Sequence, residues 1–344
     1  MKLPERMSAA GRIRRLLPAR RSRADELAVF PFALVAFALV AVVFPPGSGI
    51  FELAAVLEVH LFIVMGLIFT PTALLTRSRW IGLALVALVV LGGRLFGSEW
   101  ISLPGSAAGR TDITVLQWNL EHGSKSPSDL VADLRAHDAD LIAVQELEPD
   151  VSAAMAADPQ LSTLYPYHWL APQDGFWGVG VLSRYPISDA HTFADPALVE
   201  MLIQTPRGPL RLIDTHPMPA AMSAGDLFPL SFDPTIRNRQ IDVIRGHVEA
   251  SLAAGETLLM VGDFNTSPTE GEYRVLTKGL RDTQVEIGEG PGWTWRPNRL
   301  EFTGVAFLRL DLQLTAGSIR PSSISVDCSH PGDHCQVVGG YEMD

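Results

Sequence analysis

The chain has 344 residues, 47% of them hydrophobic and 19% charged, with a formal net charge of −11. That length holds about two domains, and the composition excludes a disordered chain, a collagen-like repeat and a disulfide-dense miniprotein. The charge is divided along the chain: residues 1–99 carry 11 Lys/Arg and 6 Asp/Glu, whereas residues 100–344 carry 16 and 32, a net of −16.

Residues 1–26 read as a basic cytoplasmic tail, with Lys2, Arg6, Arg12, Arg14, Arg15, Arg20, Arg21 and Arg23. Three apolar runs follow: Leu27–Phe44 without a charge, Ile50–Thr70 with Glu52, Glu58 and His60, and Trp80–Gly97 interrupted only by Arg94. At about 1.5 Å per residue each run is long enough for a hydrocarbon core of roughly 30 Å. A cleaved signal peptide would have a shorter apolar stretch and no further spans behind it. Three transmembrane helices over 27–44, 50–70 and 80–97 are therefore expected. Pro45-Pro46-Gly47 reads as the turn between the first two. Arg77 and Arg79 lie in the second loop and no basic residue lies in the first. The positive-inside bias then puts the amino end in the cytoplasm and everything after Gly97 outside.

Residues 98–110 form a small-residue linker, and 111–344 read as one globular domain. Short strand-like runs (Ile113–Trp118, Asp140–Val144, Gly178–Leu182, Leu210–Thr215, Leu258–Val261, Leu310–Leu314, Gln336–Val338) alternate with helical spacing over Leu130–Ala136 and Ile236–Ala253. The pattern predicts an α/β (α+β) domain of two sheets with helices outside. The only cysteines, Cys328 and Cys335, bound an eight-residue segment. A disulfide, a zinc site with His330 and His334, and free thiols are all open readings of it.

Polar residues recur where the apolar runs end: Trp118-Asn119, Gln145-Glu146, Asp214-Thr215-His216, Gly262-Asp263-Phe264-Asn265, Arg309-Leu310-Asp311 and Gly332-Asp333-His334. Each alone reads as a turn; six in order do not. With Val179-Gly180-Val181-Leu182-Ser183-Arg184, Arg239-Gln240 and Trp293-Thr294-Trp295, this series resembles the endonuclease/exonuclease/phosphatase, or DNase-I-like, superfamily over about residues 111–340. The resemblance implies a four-layer α/β/β/α sandwich and a metal-dependent phosphoesterase. The final motif, commonly Ser-Asp-His, reads Gly332-Asp333-His334 here, so loop geometry rather than chemistry is expected to differ.

Phosphoester hydrolysis must neutralise phosphate oxygens and activate a water, which a divalent ion assists. The resemblance assigns Glu146, Asn119 and Asp333 to that ion, with Mg²⁺ expected and Mn²⁺ as the substitute. It assigns His334 to the scissile phosphate or to acid–base work, with Asp311 on its other ring nitrogen. Asp263 would orient the attacking water, and Asn265 and His216 would bind phosphate oxygens. Arg309 is left outside the catalytic set.

The expected partners are the lipid bilayer and a phosphoester substrate, with no protein partner implied. Three spans favour a lipid or lipid-linked headgroup as substrate. The alternatives are an extracytoplasmic nuclease and a non-enzymatic membrane scaffold. A nuclease normally carries a basic stripe, and this domain has only Arg237 and Arg239 close together. Pro217–Pro234, with Met218, Met222, Leu227, Phe228, Leu230 and Phe232, reads either as an apolar lip for lipid or as a segment folded onto its own domain.

Overall fold

A computed structural model describes residues 23–100, 109–224, 229–297, 302–330 and 332–344. Two compact units are distinguished, residues 1–44 with 57–95 and residues 45–56 with 96–344. Among the described residues, helices long and apolar enough to cross a membrane run over Arg23–Val43, Glu58–Thr76 and Arg79–Gly97, the first two within the first unit and the third up to residue 95. Val40, Leu67 and Val89 are exposed on them, apolar surface that water would penalise.

The expected second span is divided differently. Gly49–Val56 forms a separate helix in the second unit, and the long apolar helix begins only at Glu58. Leu57 between them leaves helical geometry, at φ −92° and ψ 9°. Glu52 supplies a physical reason: it is buried within the electrostatic reach of Glu270, Arg237 and Glu272, surroundings that a hydrocarbon interior does not offer. The third helix continues to Trp100, so the expected linker begins as helix. Residues 101–108 of that linker, and 1–22 of the basic tail, lie outside the described residues.

Two six-stranded sheets make the second unit. One has the order β13–β14–β1–β2–β4–β3, built from β1 (Ile113–Asn119), β2 (Leu141–Gln145), β3 (Tyr167–Ala171), β4 (Val179–Ser183), β13 (Ile319–Asp327) and β14 (Gln336–Met343). The other has the order β11–β12–β10–β7–β6–β5, built from β5 (Ile187–Ala194), β6 (Ala197–Thr205), β7 (Gly208–His216), β10 (Leu258–Asp263), β11 (Arg281–Asp282) and β12 (Asp311–Ala316). Sequence periodicity does not foresee β3, β5, β6 or β13. β8 (Ala221–Ala224) and β9 (Pro229–Asp233) pair as a separate two-stranded antiparallel sheet.

The sheets form a sandwich because the central strands β1, β2, β7 and β10 carry apolar residues on both faces. Ile113, Val115, Leu141, Ala143, Leu210, Leu212, Leu259 and Val261 pack between the sheets. The alternate residues Leu116, Trp118, Ile142 and Val144 pack with Leu130, Val131, Leu134 and Val151 of the helices Pro127–Ala136 and Pro149–Ala157. Ile213, Leu258, Met260 and Leu312 likewise pack with Ile241, Ile244 and Val248 of the helix Thr235–Ala254. A period of two thus produces helix–sheet–sheet–helix layering.

Cys328 and Cys335 are joined in a disulfide, which removes the zinc and free-thiol readings. The closed segment carries Asp333 and His334. It is held from behind by Arg296, 1% exposed, whose guanidinium donates to the carbonyls of Cys328, His330 and Gly332. Replacing both cysteines by alanine is expected to lower stability by about 2.5 kcal/mol, the loop-closure entropy of so short a segment, read as a lower urea midpoint. An unchanged midpoint would mean that the Arg296 bonds fix the loop without the covalent link.

Candidate active site

Strand direction gathers the site. β1 and β2 run parallel, as do β7 and β10, so the carboxyl ends of each pair open at one edge of their sheet. β12 runs antiparallel to β10 and places Asp311 opposite Asp263. Such an edge is where layered α/β folds build sites.

The inward-facing residues of these strands change character along their length. The series runs Ile113-Val115-Gln117-Asn119 on β1, Leu210-Leu212-Asp214-His216 on β7 and Leu259-Val261-Asp263 on β10, apolar at the base and polar at the rim, and all are buried. After β2, Glu146 adopts a left-handed backbone at φ 56°, and after β10 Asn265 does so at φ 50°; both are positions where a non-glycine residue is held against a steric cost. Gly262 has φ 147°, and a Cβ there would lie 2.0 Å from the Thr215 carbonyl oxygen. Only glycine allows β10 to run that close beside β7.

At the rim, Asn119 Nδ2 donates to Glu146 Oε1 and to Asp263 Oδ2, each at 3.0 Å. Its carbonyl oxygen accepts from the Glu121 N–H at 2.9 Å. Asn119 therefore pairs the two acids through its amide rather than offering them an oxygen. Asp263 Oδ2 lies 3.4 Å from His216 Nε2 and 3.4 Å from His334 Nε2. The other ring nitrogens are also held: His334 Nδ1 is 2.8 Å from Asp311 Oδ2, and His216 Nδ1 is 2.8 Å from the Phe176 carbonyl. Asn265 Nδ2 reaches His216 Nε2 at 3.1 Å and the Pro217 carbonyl at 3.0 Å. Seven of the eight residues assigned from the sequence (Asn119, Glu146, His216, Asp263, Asn265, Asp311 and His334) are thus connected by direct contacts. Asp333 precedes His334, accepts from Trp295 Nε1 at 3.2 Å, and its N–H donates to Glu121 Oε2 at 3.0 Å.

The charges are strongly coupled. Burial opposes the ionised form of Asp263, yet His334 and His216 outweigh it and hold its carboxyl below the usual range. Burial likewise opposes the imidazolium forms. Asp311 and Asp263 nonetheless raise His334 well above its ordinary value, and Asp263 and Glu146 raise His216. Glu146 is lowered despite burial, chiefly by His216 and the His122 N–H. Asp333 goes the other way: burial, with Glu121 and Glu146 nearby, pushes it up to about 6.

Two features fit a bound cation. Asp333 Oδ1 is buried with no hydrogen-bond partner, and Asp263, Asp311 and His334 offer ligand atoms all within 4.8 Å of one another. Carboxylate oxygens such as those of Asp333 and Glu146 are what a hard divalent ion takes, whereas His334 is already paired with Asp311 through Nδ1 and faces Asp263 through Nε2.

The sequence reading misses several neighbours. His122 contacts Glu146 Oε2 through its N–H and through Nδ1, each at 2.9 Å, and its ring meets Phe176 edge-on at 4.5 Å between centroids. Thr294 Oγ1 accepts from the Asp311 N–H at 3.1 Å, which gives the Trp293-Thr294-Trp295 motif a part in the site. Asp214, from Asp214-Thr215-His216, lies below the rim, where burial pushes its carboxyl well above the usual range. Arg309, left outside the catalytic set, is buried and grips both oxygens of Asp282. Within Pro217–Pro234, Met222 is exposed but Phe232 is buried beneath the Arg237 guanidinium. The described residues of the segment thus do not share one exposed apolar face; Leu227 and Phe228 lie outside the described residues.

Among solved structures, the chain is similar to a 3′-5′ exonuclease (NExo) from Neisseria meningitidis, with TM-score 0.53, 19% identity, and 67% of this chain and 100% of that one covered. It is similar to D. rerio TDP2 complexed with single-strand DNA product, with TM-score 0.51, 16% identity and coverage of 67% and 99%. It also resembles an endonuclease/exonuclease/phosphatase from Bacteroides vulgatus, with TM-score 0.51, 12% identity and coverage of 68% and 100%. At these identities the likeness establishes the fold. No curated protein matches the sequence. The model of the Endonuclease/Exonuclease/phosphatase family matches residues 116–334, from the middle of β1 to His334, and the chain belongs to that family.

Proposed function

We propose that this protein is a membrane-anchored, divalent-metal-dependent phosphoesterase acting on a lipid or lipid-linked headgroup. The carrying observation is the Asp263 carboxylate placed 3.4 Å from each of two imidazoles, one of them backed by Asp311, with Glu146 bound to the same Asn119 amide. Glu146 and Asp333, with Asn119 beside them, would hold Mg²⁺ or Mn²⁺. The ion would neutralise phosphate oxygens and fix the phosphate for in-line attack.

The remaining steps belong to the chain's own side chains. Asn265 and His216 bind phosphate oxygens; with Asp263 beside it, His216 brings positive charge to an oxygen that gains negative charge in the transition state. Asp263 orients the attacking water, and the proton released as the new P–O bond forms passes to the hydrogen-bonded Asp263–His334 pair. His334, kept protonated by Asp311 and Asp263, faces the phosphate and donates a proton to the departing oxygen as the old P–O bond breaks. Water thus adds across one P–O bond, leaving an alcohol and a phosphate.

The three apolar helices support anchoring, and the acidic domain supports a headgroup over a polynucleotide, because affinity for nucleic acid rests mainly on cationic contacts. The second reading is a nuclease. It is favoured by the structural neighbours described as a 3′-5′ exonuclease and as a complex with DNA product. A non-enzymatic scaffold is disfavoured by a site with every acid and histidine in place.

Purified full-length protein with Mg²⁺ is expected to hydrolyse phospholipid headgroups in mixed micelles and a generic phosphodiester. Glu146→Ala is expected to lower kcat by about 10²-fold or more, on the scale of a lost transition-state contact. Efficient plasmid cleavage abolished by the same substitution, without action on lipid, would replace the headgroup reading by the nuclease.

We further propose that the amino terminus is cytoplasmic and the catalytic domain extracytoplasmic. The basic residues before Arg23 and the Cys328–Cys335 disulfide support this orientation. After mild reduction, a membrane-impermeant thiol reagent is expected to label Cys328 or Cys335 in intact cells. Labelling that requires lysis reverses the orientation.

A further inference from the structure

Beneath the rim of the site lies a second tier of buried polar side chains. Gln117 projects between the sheets from β1, two residues before Asn119, and is fully buried. Its Nε2 makes two hydrogen bonds at once, to Asp311 Oδ1 at 2.8 Å and to Gln145 Oε1 at 2.7 Å. Asp311 is in the other sheet, and its second oxygen is the one that holds His334 Nδ1. Gln145, immediately before Glu146, passes the connection on, its Nε2 donating to Asp214 Oδ1 at 2.6 Å. Asp214 lies two residues before His216 on β7. One unbroken line of polar contacts therefore runs His334–Asp311–Gln117–Gln145–Asp214, crossing between the sheets at both ends of the Gln117–Gln145 pair.

Elementary chemistry limits what can stand at position 117. A carboxylate turns easily about its terminal torsion, so the His334 contact alone leaves Asp311 free to pivot. The Gln117 N–H on its other oxygen removes that freedom. The group must supply two donors from one atom, which an amide nitrogen does and a carboxylate or hydroxyl does not. It must also be neutral, because a further charge beside buried Asp311 would need its own counter-charge.

We propose that Gln117 is a positioning residue for the reaction: through Asp311 it sets the ring of His334, and through Gln145 it keeps the Glu146-bearing sheet in register with the sheet that carries His216. The proposal rests on the phosphoesterase reading for its kinetic consequence, while its structural consequence is measurable without turnover.

Full-length detergent-solubilised protein, wild type and Gln117→Met, is assayed with Mg²⁺ on bis(p-nitrophenyl) phosphate. The expected result is a kcat 10- to 100-fold lower, roughly the loss seen when a group orienting an active-site residue is removed, with KM within about twofold. In an Asp311→Asn background the same substitution is expected to cost little more, because Gln117 acts through Asp311. Independently of turnover, the Nδ1–H proton of His334, assigned with His334→Ala in ¹⁵N-histidine-labelled protein, is expected far downfield in the wild type and shifted or lost in Gln117→Met. Should Gln117→Met not fold, Gln117→Asn, which keeps the amide but is one methylene too short to make both bonds, is measured in the same way with the same expectation. Wild-type kcat in the variant, an equal loss in the Asp311→Asn background, or an unmoved His334 resonance overturns the proposal. A wild-type protein inert on every phosphoester overturns the functional reading instead, and the resonance then decides the role of Gln117 alone.

Discussion

The interaction on which the rest depends is the buried carboxylate of Asp263 held between two imidazoles. A carboxylate almost without solvent exposure is costly unless paired and hydrogen-bonded. Here His216 and His334 flank it, Asn119 donates to Oδ2, and the Asn265 N–H donates to Oδ1 at 2.9 Å. The histidines come from different parts of the chain and the asparagine from the opposite sheet, so the pairing exists only when the sandwich is closed. Folding and site assembly are one event.

Closure in turn depends on the inward faces of the strands. At the base of the sandwich, Val115, Leu141, Leu212 and Leu259 are fully buried and supply the usual apolar driving force. Towards the rim the same faces carry Gln117, Gln145, Asp214 and Asp311, whose bonds to one another replace the water they lose. A buried polar network specifies geometry only when its members are satisfied. In this one, two atoms in the lower tier, Gln117 Oε1 and Asp214 Oδ2, have no partner. The raised pKa of Asp214 is consistent with that: a neutral carboxyl tolerates an incomplete shell far better than a carboxylate would.

Much of this is legible in the amino-acid sequence. The strands that bear site residues carry strong apolar runs ending in Asn119, Glu146, His216 and Asp263, and they fall where periodicity puts them within a residue or two. β3 and β5 were not legible for a physical reason: much of their surface is exposed, so polar residues such as His168, Asp189 and His191 break the alternation that announces a half-buried strand. β6 is well buried, but it runs on from β5 across Asp195-Pro196, and Glu200 and Gln204 interrupt its apolar series. In the site, roles attached to strand ends could be assigned one by one. Contacts made by side chains distant in sequence could not. His122 meets Glu146 across 24 positions of sequence, and Gln117 meets Asp311 across 194. The second span is shifted rather than lost, beginning at Glu58 instead of Ile50: hydropathy over Ile50–Thr70 averages away Glu52, whereas the folded chain gives that one acid its own helix and polar neighbours.

The charge of the domain bears on how it would meet a phosphate. A net of −16 over residues 100–344 opposes the approach of polyanions, and a freely diffusing enzyme of that charge would lack the steering that speeds encounter. An anchored enzyme does not need it. On the anchored reading, the tether sets a local concentration of membrane headgroups far above what diffusion from bulk supplies, and the screening length of about 8 Å at physiological salt confines the repulsion to close approach. Within that distance the local charges decide, and there the two raised histidines and a cation held by Glu146 and Asp333 would present positive charge at the rim. On that reading the acidic exterior and a phosphate-binding interior are compatible, since helices set in a membrane would perform the recruitment that a basic surface performs in a soluble nuclease.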